Sequence, residues 1–326
     1  MDERLFLCET EKNLINAFTE EQRAGSLMLT NQALMTGTPH PEIKAVFSSW
    51  GMAQLTEEEI AEKLPNLQYV FYAAGTVQAF ARPFLAHGVR VFSAWAANAV
   101  PVAEFTLAQI LLANKGFFQL DRRYRTEGYA AAKEYGTHFD GNYHNKVGLL
   151  GAGMVGRKVI ENLKPYDISI DVFDPFLPEE KAKALGVRKT TLEDIFRNCP
   201  VISNHLANNK DTVGMLDYRL FSLMSPYAVF INTGRNAQIV TADLIRAMEE
   251  EPGRTALLDV TDPLEPLPED HPLWKVPNIQ ITPHVAGSLE GEIYRMGSYM
   301  MEEYTRVTAG EKPLYEVTMD MLRTMA

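Results

Sequence analysis

Short apolar runs alternate with helix-like stretches in the first part of the chain. Residues 45–47, 67–72 and 89–92 are short, mainly apolar runs rich in strand-forming residues, and they are predicted to be buried strands of a parallel sheet. Between the first two runs, Thr56 precedes a cluster of glutamates, which predicts a capped helix that ends before Pro65. Strand, crossover helix and strand make a βαβ unit, so the region is predicted to be an α/β domain.

A second series of apolar segments follows in the rest of the chain. Each segment ends where small or polar residues begin, and helix-length spacers separate them. The segments are 147–153, 168–174, 201–207, 228–234, 256–262 and 279–287. This arrangement is typical of a doubly wound parallel sheet.

Three connecting stretches complete the pattern. An apolar helix is predicted to start at Val102, because Pro101 suits a helix start and cannot continue the preceding structure. Residues 121–145 show no clean period and are predicted to be irregular, an arm that packs on a partner subunit. The tail from Leu289 is predicted to be a helix that ends at Gly310.

Length and charge narrow the class of protein. A chain of 326 residues has room for two domains, and 46% hydrophobic with 22% charged residues is ordinary globular composition. The net charge of -11 argues against a nucleic-acid partner, since phosphate contacts need clustered lysine and arginine.

Cysteine content and apolar runs bear on the compartment. Two cysteines, Cys8 and Cys199, provide no disulfide framework, so a cytoplasmic protein is expected. The acidic N-terminus has no apolar run of signal-peptide type. Polar residues and a proline interrupt the most apolar stretch, 91–113, so no membrane partner is expected.

A glycine motif follows the first strand of the second series. Gly151, Gly153 and Gly156 form G-x-G-x-x-G between a strand and a helical run, where they permit a tight turn, close approach of a pyrophosphate and helix–strand packing. The next strand ends in Asp174, which can accept hydrogen bonds from ribose hydroxyls. Pro175 and Phe176 supply no cation for a 2'-phosphate, so NAD is predicted over NADP. The alternative interpretations are a plain turn for the glycine motif and a helix N-cap for Asp174.

Three residues just after strand ends can perform oxidoreductase chemistry. Arg235 offers a two-pronged donor for a carboxylate. His284 can donate a proton to a carbonyl oxygen or remove one from an alcohol, and Glu265 can orient the imidazole and favour its charged form. Because ligands bind at the carboxyl ends of strands in such sheets, the three are expected to converge.

Several sequence motifs of this chain are similar to those of a known protein family. The segments LLGAGMVG with Asp174, SNHLANNKDTVGML with His205, INTGR, LDV with Asp259, and EPLP followed by TPH stand in family order. The whole sequence resembles the D-isomer-specific 2-hydroxyacid dehydrogenases, which include glyoxylate/hydroxypyruvate reductases and phosphoglycerate dehydrogenases. The resemblance implies an NAD-binding Rossmann domain at 103–297, inserted into a flavodoxin-like substrate domain at 1–102. The last residues, 298–326, would return to that domain.

The resemblance also implies roles for individual residues. Those implied to bind the cofactor are Gly151, Ala152, Gly153, Met154, Val155, Gly156, Asp174, His205, Thr233, Gly234, Asp259 and Gly287. Those implied to contact the substrate are Ala74, Gly75, Thr76, Arg235 and His284, the first three through backbone amides. Arg235, Glu265 and His284 are the implied catalytic set, and a homodimer is the implied assembly. For His205, a structural place in the core is the alternative.

The sequence departs from the family pattern at three places. One extra residue stands between Asp259 and Glu265, which leaves Asp262 as the alternative partner of His284. Gly234 replaces the usual alanine, and the YAAGTVQAF loop lacks the usual aspartate, so the substrate is left open among small D-2-hydroxy and 2-oxo acids.

The remaining histidines are not expected to take part in catalysis or metal binding, and two other functions are weighed. Five histidines are interpreted as structural or surface residues, and none has metal-ligand spacing, so no metal is predicted; they are His40, His87, His138, His144 and His271. A non-catalytic NAD(H)-sensing protein of the C-terminal-binding-protein corepressor type is the alternative function. A formate dehydrogenase is a second alternative, but it would carry glutamine in place of Glu265, so the glutamate argues against it.

Overall fold

The computed structural model describes residues 3–261 and 263–323, which form two compact units. The outer unit consists of Met1–Ala99 and Ser288–Ala326, and the inserted unit is Val100–Gly287. The boundaries therefore differ from those predicted at 102/103 and 297/298. The position 297 falls inside the helix Ile293–Thr308, all of which belongs to the outer unit.

A six-stranded sheet forms the centre of the outer unit. Its strands are β1 Arg4–Cys8, β2 Leu27–Thr30, β3 Ala45–Ser48, β4 Tyr69–Tyr72, β5 Arg90–Ser93 and β13 Glu316–Val317. Their order is β13-β5-β4-β3-β1-β2, and only β13 runs antiparallel to its neighbour. The sequence predicted β3, β4 and β5 and missed the other three.

Helices cover both faces of this sheet. They are α1 Glu11–Ala17, α2 Glu20–Arg23, α3 Asn31–Thr36, α4 Glu57–Lys63, α5 Ala81–Ala86 and α14 Ile293–Thr308. The predicted cap of α4 is present, since the Thr56 hydroxyl accepts from the Glu59 amide and the Glu59 carboxylate accepts from the Thr56 amide. The predicted C-terminal helix is α14, and Gly310 follows it with a φ of 76°.

A ladder of aromatic rings fixes the register of the outer sheet. Phe6, Phe47, Phe71 and Phe92 are fully buried and pair across four adjacent parallel strands. Successive ring centroids lie 5.0, 5.1 and 4.8 Å apart. Since a slip of one residue would turn every ring to the other face, this ladder holds the carboxyl ends of the strands level.

A seven-stranded parallel sheet forms the inserted unit. Its strands are β6 Tyr143–Leu150, β7 Asp167–Phe173, β8 Arg188–Lys189, β9 Val201–Asn204, β10 Val229–Asn232, β11 Thr255–Leu258 and β12 Ile279–Ile281. Each of the six predicted segments contains a strand, and β8 is an addition. The order β12-β11-β10-β9-β6-β7-β8 reverses between β6 and β9, which is the switch point where such sheets bind ligands. The doubly wound prediction is confirmed.

The helices of the inserted unit correct one prediction. They are α7 Phe117–Glu127, α8 Tyr129–Tyr135, α9 Met154–Leu163, α10 Glu179–Leu185, α11 Leu192–Asn198, α12 Tyr218–Phe221 and α13 Thr241–Glu250. The irregular structure predicted for 121–145 is wrong, because α7 and α8 fill most of it. Gly128, with a φ of 87°, separates the two helices and hid their period. The Arg123 guanidinium lies 4.0 Å from the Tyr135 ring centroid and joins them.

The long helix α6, Trp95–Asn114, contains Pro101. The start predicted at Val102 is therefore wrong. Pro101 lies near the N-terminal end of α6, where it removes one hydrogen bond from an otherwise continuous apolar helix. Of the described helices, α6 alone is long and apolar enough to span a membrane. Core helices of soluble proteins meet the same criteria, and 44% of its apolar window is buried.

Candidate active site

The glycine-rich turn joins β6 to α9. Gly151 has a φ of 95°, and a Cβ there would lie 2.6 Å from the His205 carbonyl oxygen. A Cβ on Gly156 would overlap the Gly151 carbonyl oxygen, whereas a Cβ on Gly153 would meet no atom within 4 Å. The turn is therefore closed on its protein side and open at Gly153, which fits the approach of a pyrophosphate to the backbone.

Asp174 follows β7 and turns toward this loop. Its Oδ2 accepts from the Ala152 amide at 2.8 Å, and its Oδ1 accepts from the Phe176 amide at 2.8 Å. The next helix, α10, has Pro178 at its N-cap, so Asp174 does not cap it. Met154 and Val155 begin α9, and Met154 is 48% exposed. The carboxylate thus lies beside the glycine turn, where a ribose would follow a bound pyrophosphate.

His205 directly follows β9 at the switch point of the sheet. Its Nε2 lies 3.0 Å from the Ser203 hydroxyl, and its amide donates to the Leu150 carbonyl oxygen at 2.7 Å. Burial lowers the pKa of His205 to about 4. The imidazole is therefore uncharged at neutral pH, so it can offer a polar contact but no positive charge to a bound nucleotide.

The loop after β10 carries Thr233, Gly234 and Arg235. The Thr233 hydroxyl is buried 3.1 Å from that of Thr106, which fixes the loop on α6. Arg235 is half-buried, and its Nη1 donates to the Gly234 carbonyl oxygen at 2.8 Å. A Cβ on Gly234 would lie 3.2 Å from the Asn204 carbonyl oxygen, so an alanine here would be tightly packed.

Glu265 and His284 form the pair that the sequence predicted. Glu265 Oε2 lies 2.9 Å from His284 Nδ1, and its Oε1 accepts from the Thr261 amide at 2.8 Å. Because an ionised carboxylate can only accept, Nδ1 carries the proton in this pair and Nε2 is left for exchange. The alternative partner, Asp262, lies outside the described residues.

Electrostatics favours the charged form of Glu265. Partial burial, the largest single influence, raises its pKa, but hydrogen bonds from His284 and the Thr261 amide outweigh burial and hold the pKa below its ordinary value. The positive charge of Arg235 acts in the same direction. Glu265 is therefore ionised throughout the neutral range, beside an imidazole that is 46% exposed.

Asp259 holds the segment that carries His284. It is 1% exposed, its Oδ1 accepts from the Thr282 hydroxyl at 2.6 Å and the Val285 amide at 2.9 Å, and its Oδ2 accepts from the Ala286 amide at 2.8 Å. The His284 amide donates to the Asp259 carbonyl oxygen at 3.0 Å. These contacts maintain His284 at a φ of 54°, which is uncommon outside glycine. Gly287 follows this segment and ends the unit.

Sequence reasoning missed several of these supports. The cofactor contact implied for Asp259 stays a prediction, and the bonds of both its carboxylate oxygens to the His284 segment were not predicted. It also gave no role to Thr261 or Thr282, although threonines at strand ends are a signal for side chains that fix a loop.

The predicted carboxylate loop lies in the outer unit, directly after β4. The Ser93 hydroxyl lies 2.9 Å from the Ala74 carbonyl oxygen and 2.5 Å from that of Gly75, so these carbonyls turn inward. Within the described chain, no protein acceptor takes the amide hydrogens of Ala74, Gly75 or Thr76. Free, adjacent amides of this kind suit an anion such as a carboxylate.

The other histidines have local partners or surface positions. His40 Nδ1 lies 3.1 Å from Glu42, and His144 Nδ1 lies 3.0 Å from Asp167. Among residues 3–261 and 263–323, no three His, Cys, Asp or Glu side chains form a group that could hold a metal ion.

Comparisons with known proteins agree with this geometry. Residues 107–286 match the family model of the D-isomer specific 2-hydroxyacid dehydrogenase, NAD binding domain. A D-3-phosphoglycerate dehydrogenase of Archaeoglobus fulgidus is 27% identical over 68% of this chain and 42% of its own length. The putative 2-hydroxyacid dehydrogenase YoaD of Bacillus subtilis is 31% identical over 55% of this chain and 52% of its own length. The chain thus spans about half the length of these relatives.

Solved structures share the fold over the whole chain. A phosphoglycerate oxidoreductase from Rhizobium etli has a TM-score of 0.78 at 21% identity, covering 98% of this chain and 99% of that one. The NAD complex of a D-isomer specific 2-hydroxyacid dehydrogenase from Lactobacillus delbrueckii has a TM-score of 0.76 at 17% identity, covering 97% and 100%. These similarities establish the two-domain Rossmann architecture.

Proposed function

Because the chain belongs to the D-isomer specific 2-hydroxyacid dehydrogenases and uses NAD, we propose that it transfers a hydride between nicotinamide and C2 of a small D-2-hydroxy acid or its 2-oxo partner. The observation that carries this proposal is the Glu265–His284 pair at 2.9 Å, with Arg235 close enough to lower the pKa of Glu265. Proton donor, orienting carboxylate and carboxylate-binding cation are the groups that reduction of a 2-oxo acid requires.

The proposed reaction assigns separate roles in cofactor binding, proton transfer and substrate binding to the residues of the site. NAD supplies or accepts the hydride when bound, and Gly151, Gly153 and Asp174 would hold it, a fit supported by the open backbone at Gly153. His284 Nε2 donates a proton to the carbonyl oxygen in reduction and removes it in oxidation. Glu265 stabilises the imidazolium through Nδ1. Arg235 binds the carboxylate, and in the outer unit the amides of 74–76 offer a second anion-binding element.

A substrate panel tests the proposal. NADH oxidation is followed with glyoxylate, hydroxypyruvate, pyruvate and phenylpyruvate, and at least one is expected to support turnover. Binding of NADH without turnover of any compound would contradict the proposal and favour the non-catalytic, corepressor-type alternative. We also propose a cytoplasmic location, supported by two free, buried cysteines.

We predict a preference for NADH over NADPH of about 30-fold in kcat/KM, which corresponds to about 2 kcal/mol. The cause is repulsion between the Asp174 carboxylate and a 2'-phosphate. Asp174→Asn should reduce the preference for NADH.

Arg157 is a cation near the glycine turn that the sequence interpretation did not consider. Its Nε donates to the Ala152 carbonyl oxygen at 2.8 Å. Arg157→Ala removes this cation near the glycine turn and is therefore the variant matched to Asp174→Asn. Equal activity of the parent with NADPH and NADH would contradict the prediction.

Glu265→Gln is predicted to shift the pH profile of oxo-acid reduction. The parent keeps an ionised Glu265 at neutral pH because the pKa of this carboxyl is lowered. Loss of its charge removes support for the imidazolium, so activity should begin to fall at a lower pH, while activity in acid changes little. Profiles of kcat/KM for both proteins measure the shift. Identical profiles would show that Glu265 is not the partner and would direct the test to Asp262.

We propose a homodimer, supported by exposed aromatic residues on α7 and α8. Tyr124 is 57% and Tyr129 69% exposed. Tyr135, at the end of α8, packs within the chain against Arg123 and Tyr227. Sedimentation should give twice the monomer mass at micromolar concentration, and Tyr124→Glu with Tyr129→Glu should lower that mass. A monomeric parent would contradict the proposal.

A further inference from the structure

Three buried carboxamide side chains meet near the carboxyl ends of β9 and β10. Asn204, Asn232 and Gln238 are each 0% exposed. Asn204 Nδ2 donates to Asn232 Oδ1 at 3.0 Å and to Gln238 Oε1 at 3.0 Å. Both hydrogens of the Asn204 amide group are thus used inside one cluster, which we call the amide network.

On one side, the amide network holds the segment beside the glycine turn. Asn204 Oδ1 accepts from the Leu206 amide at 3.2 Å. Gln238 Nε2 donates to the carbonyl oxygens of Leu206 at 3.4 Å and Ala207 at 3.3 Å. The same segment lies against the nucleotide motif, because a Cβ on Gly151 would be 3.1 Å from the Leu206 amide nitrogen.

On the other side, the amide network holds the loop of the carboxylate-binding arginine. Asn232 Oδ1 accepts from the Gly234 amide at 3.2 Å, and its Nδ2 donates to the Arg235 carbonyl oxygen at 3.2 Å. One cluster of side chains therefore connects the backbone of both loops.

The cost of burial indicates a specific role for this cluster. A buried amide without partners costs free energy, and a fully bonded amide contributes little more stability than a well-packed apolar side chain. What a bonded network does provide is a single geometry, because each donor must meet its acceptor. In this place, that geometry sets the distance between the nucleotide-side segment 206–207 and the backbone of Arg235.

We infer that Asn204 is a positioning residue that, through Asn232 and Gln238, holds Arg235 in register with the nucleotide-side segment. The inference rests on the proposed function, in which Arg235 binds the substrate carboxylate. Loss of the network lets the two loops shift independently. It therefore weakens binding of the oxo acid and of NADH, while the Glu265–His284 pair continues to work because its residues lie in the segments after β11 and β12.

The test compares single and double apolar replacements. Asn204→Leu is expected to raise KM for the oxo acid about 10-fold and the dissociation constant of NADH about 5-fold, with kcat within about 3-fold of the parent, since small misplacement of a binding group has effects of this size. The double variant Asn204→Leu/Gln238→Met removes both partners of one hydrogen bond. Because this variant also removes the bonds from Gln238 to the carbonyl oxygens of Leu206 and Ala207, it should keep the raised KM.

Asn278 provides a matched control in the same unit. It is 2% exposed, and its Nδ2 donates to the carbonyl oxygens of Met248 at 2.8 Å and Arg254 at 3.0 Å. Asn278→Leu should lower the unfolding free energy without raising KM. If Asn278→Leu raises KM as much as Asn204→Leu, or if the double variant regains the parent KM together with its stability, the inference is overturned.

The same measurements separate this inference from the proposed function. A parent protein that reduces no oxo acid contradicts the proposed function alone. The network is then judged by NADH fluorescence titration, in which Asn204→Leu must weaken binding more than Asn278→Leu. Equal NADH affinities in the two variants would overturn the inference.

Discussion

Replacing His284 with glutamine is expected to lower kcat for oxo-acid reduction about 10²- to 10⁴-fold, the range that general acid catalysis contributes. Glutamine retains a polar side chain that can donate a hydrogen bond, but its amide is not acidic enough to transfer a proton at neutral pH. The KM for the oxo acid and the affinity for NADH should change little, because Arg235 and the glycine turn are intact. Steady-state kinetics with the best oxo acid of the panel measures both constants.

Two controls make the His284 result specific. Because His284 has a φ of 54°, His284→Asn is a second variant that tolerates this backbone conformation better than most residues. An equal loss of kcat in both variants excludes a backbone effect. His138→Gln alters an exposed histidine and should leave kcat unchanged. A fall in kcat of less than about 5-fold in His284→Gln would remove His284 from the role of acid.

Replacing Arg235 with lysine is expected to raise KM for the oxo acid about 100-fold, with a much smaller change in kcat. Lysine keeps the charge but offers a point donor where the guanidinium presents a planar fork, so one of two charge-assisted hydrogen bonds is lost. Such a bond contributes about 1.5–3 kcal/mol, which corresponds to roughly 10- to 100-fold in binding.

The matched control for Arg235 is Arg219→Lys on α12. Arg219 pairs with Glu193 at the surface, so this substitution should leave both kinetic constants unchanged. A parent-like KM in Arg235→Lys, or a fall in kcat without a rise in KM, would contradict a binding role. NADH affinity should be unaffected, since the glycine turn and Asp174 are unchanged.

The inserted unit was largely predictable, because its strands are short apolar runs that end in recognisable motifs. The outer unit was less so. β1 has only four apolar residues after Arg4, and β2 is a partly buried edge strand, so neither stands out from its surroundings. The helices α7 and α8 were hidden by their polar and aromatic residues, and contacts such as Arg123 with Tyr135 that stabilise them are tertiary.

The candidate site shows the same division between local and tertiary information. The glycine turn and the Glu265–His284 pair follow from motifs, because their chemistry is tied to residue type and spacing. The place of Asp259 against the His284 segment depends on how strands β11 and β12 pair. The amide network depends on the pairing of β9 with β10, which places Asn204 opposite Asn232. Single-sequence patterns do not contain those pairings.

Transfer of deuterium from NADH tests the central claim most directly. The parent protein is incubated with NADH deuterated at C4 on the transferred face and with the best oxo acid of the panel. The product should be the 2-hydroxy acid of D configuration with deuterium at C2, except for glyoxylate, whose product is distinguished by the label alone. A product of L configuration, a C2 without deuterium, or no oxidation of NADH with any oxo acid would contradict the account.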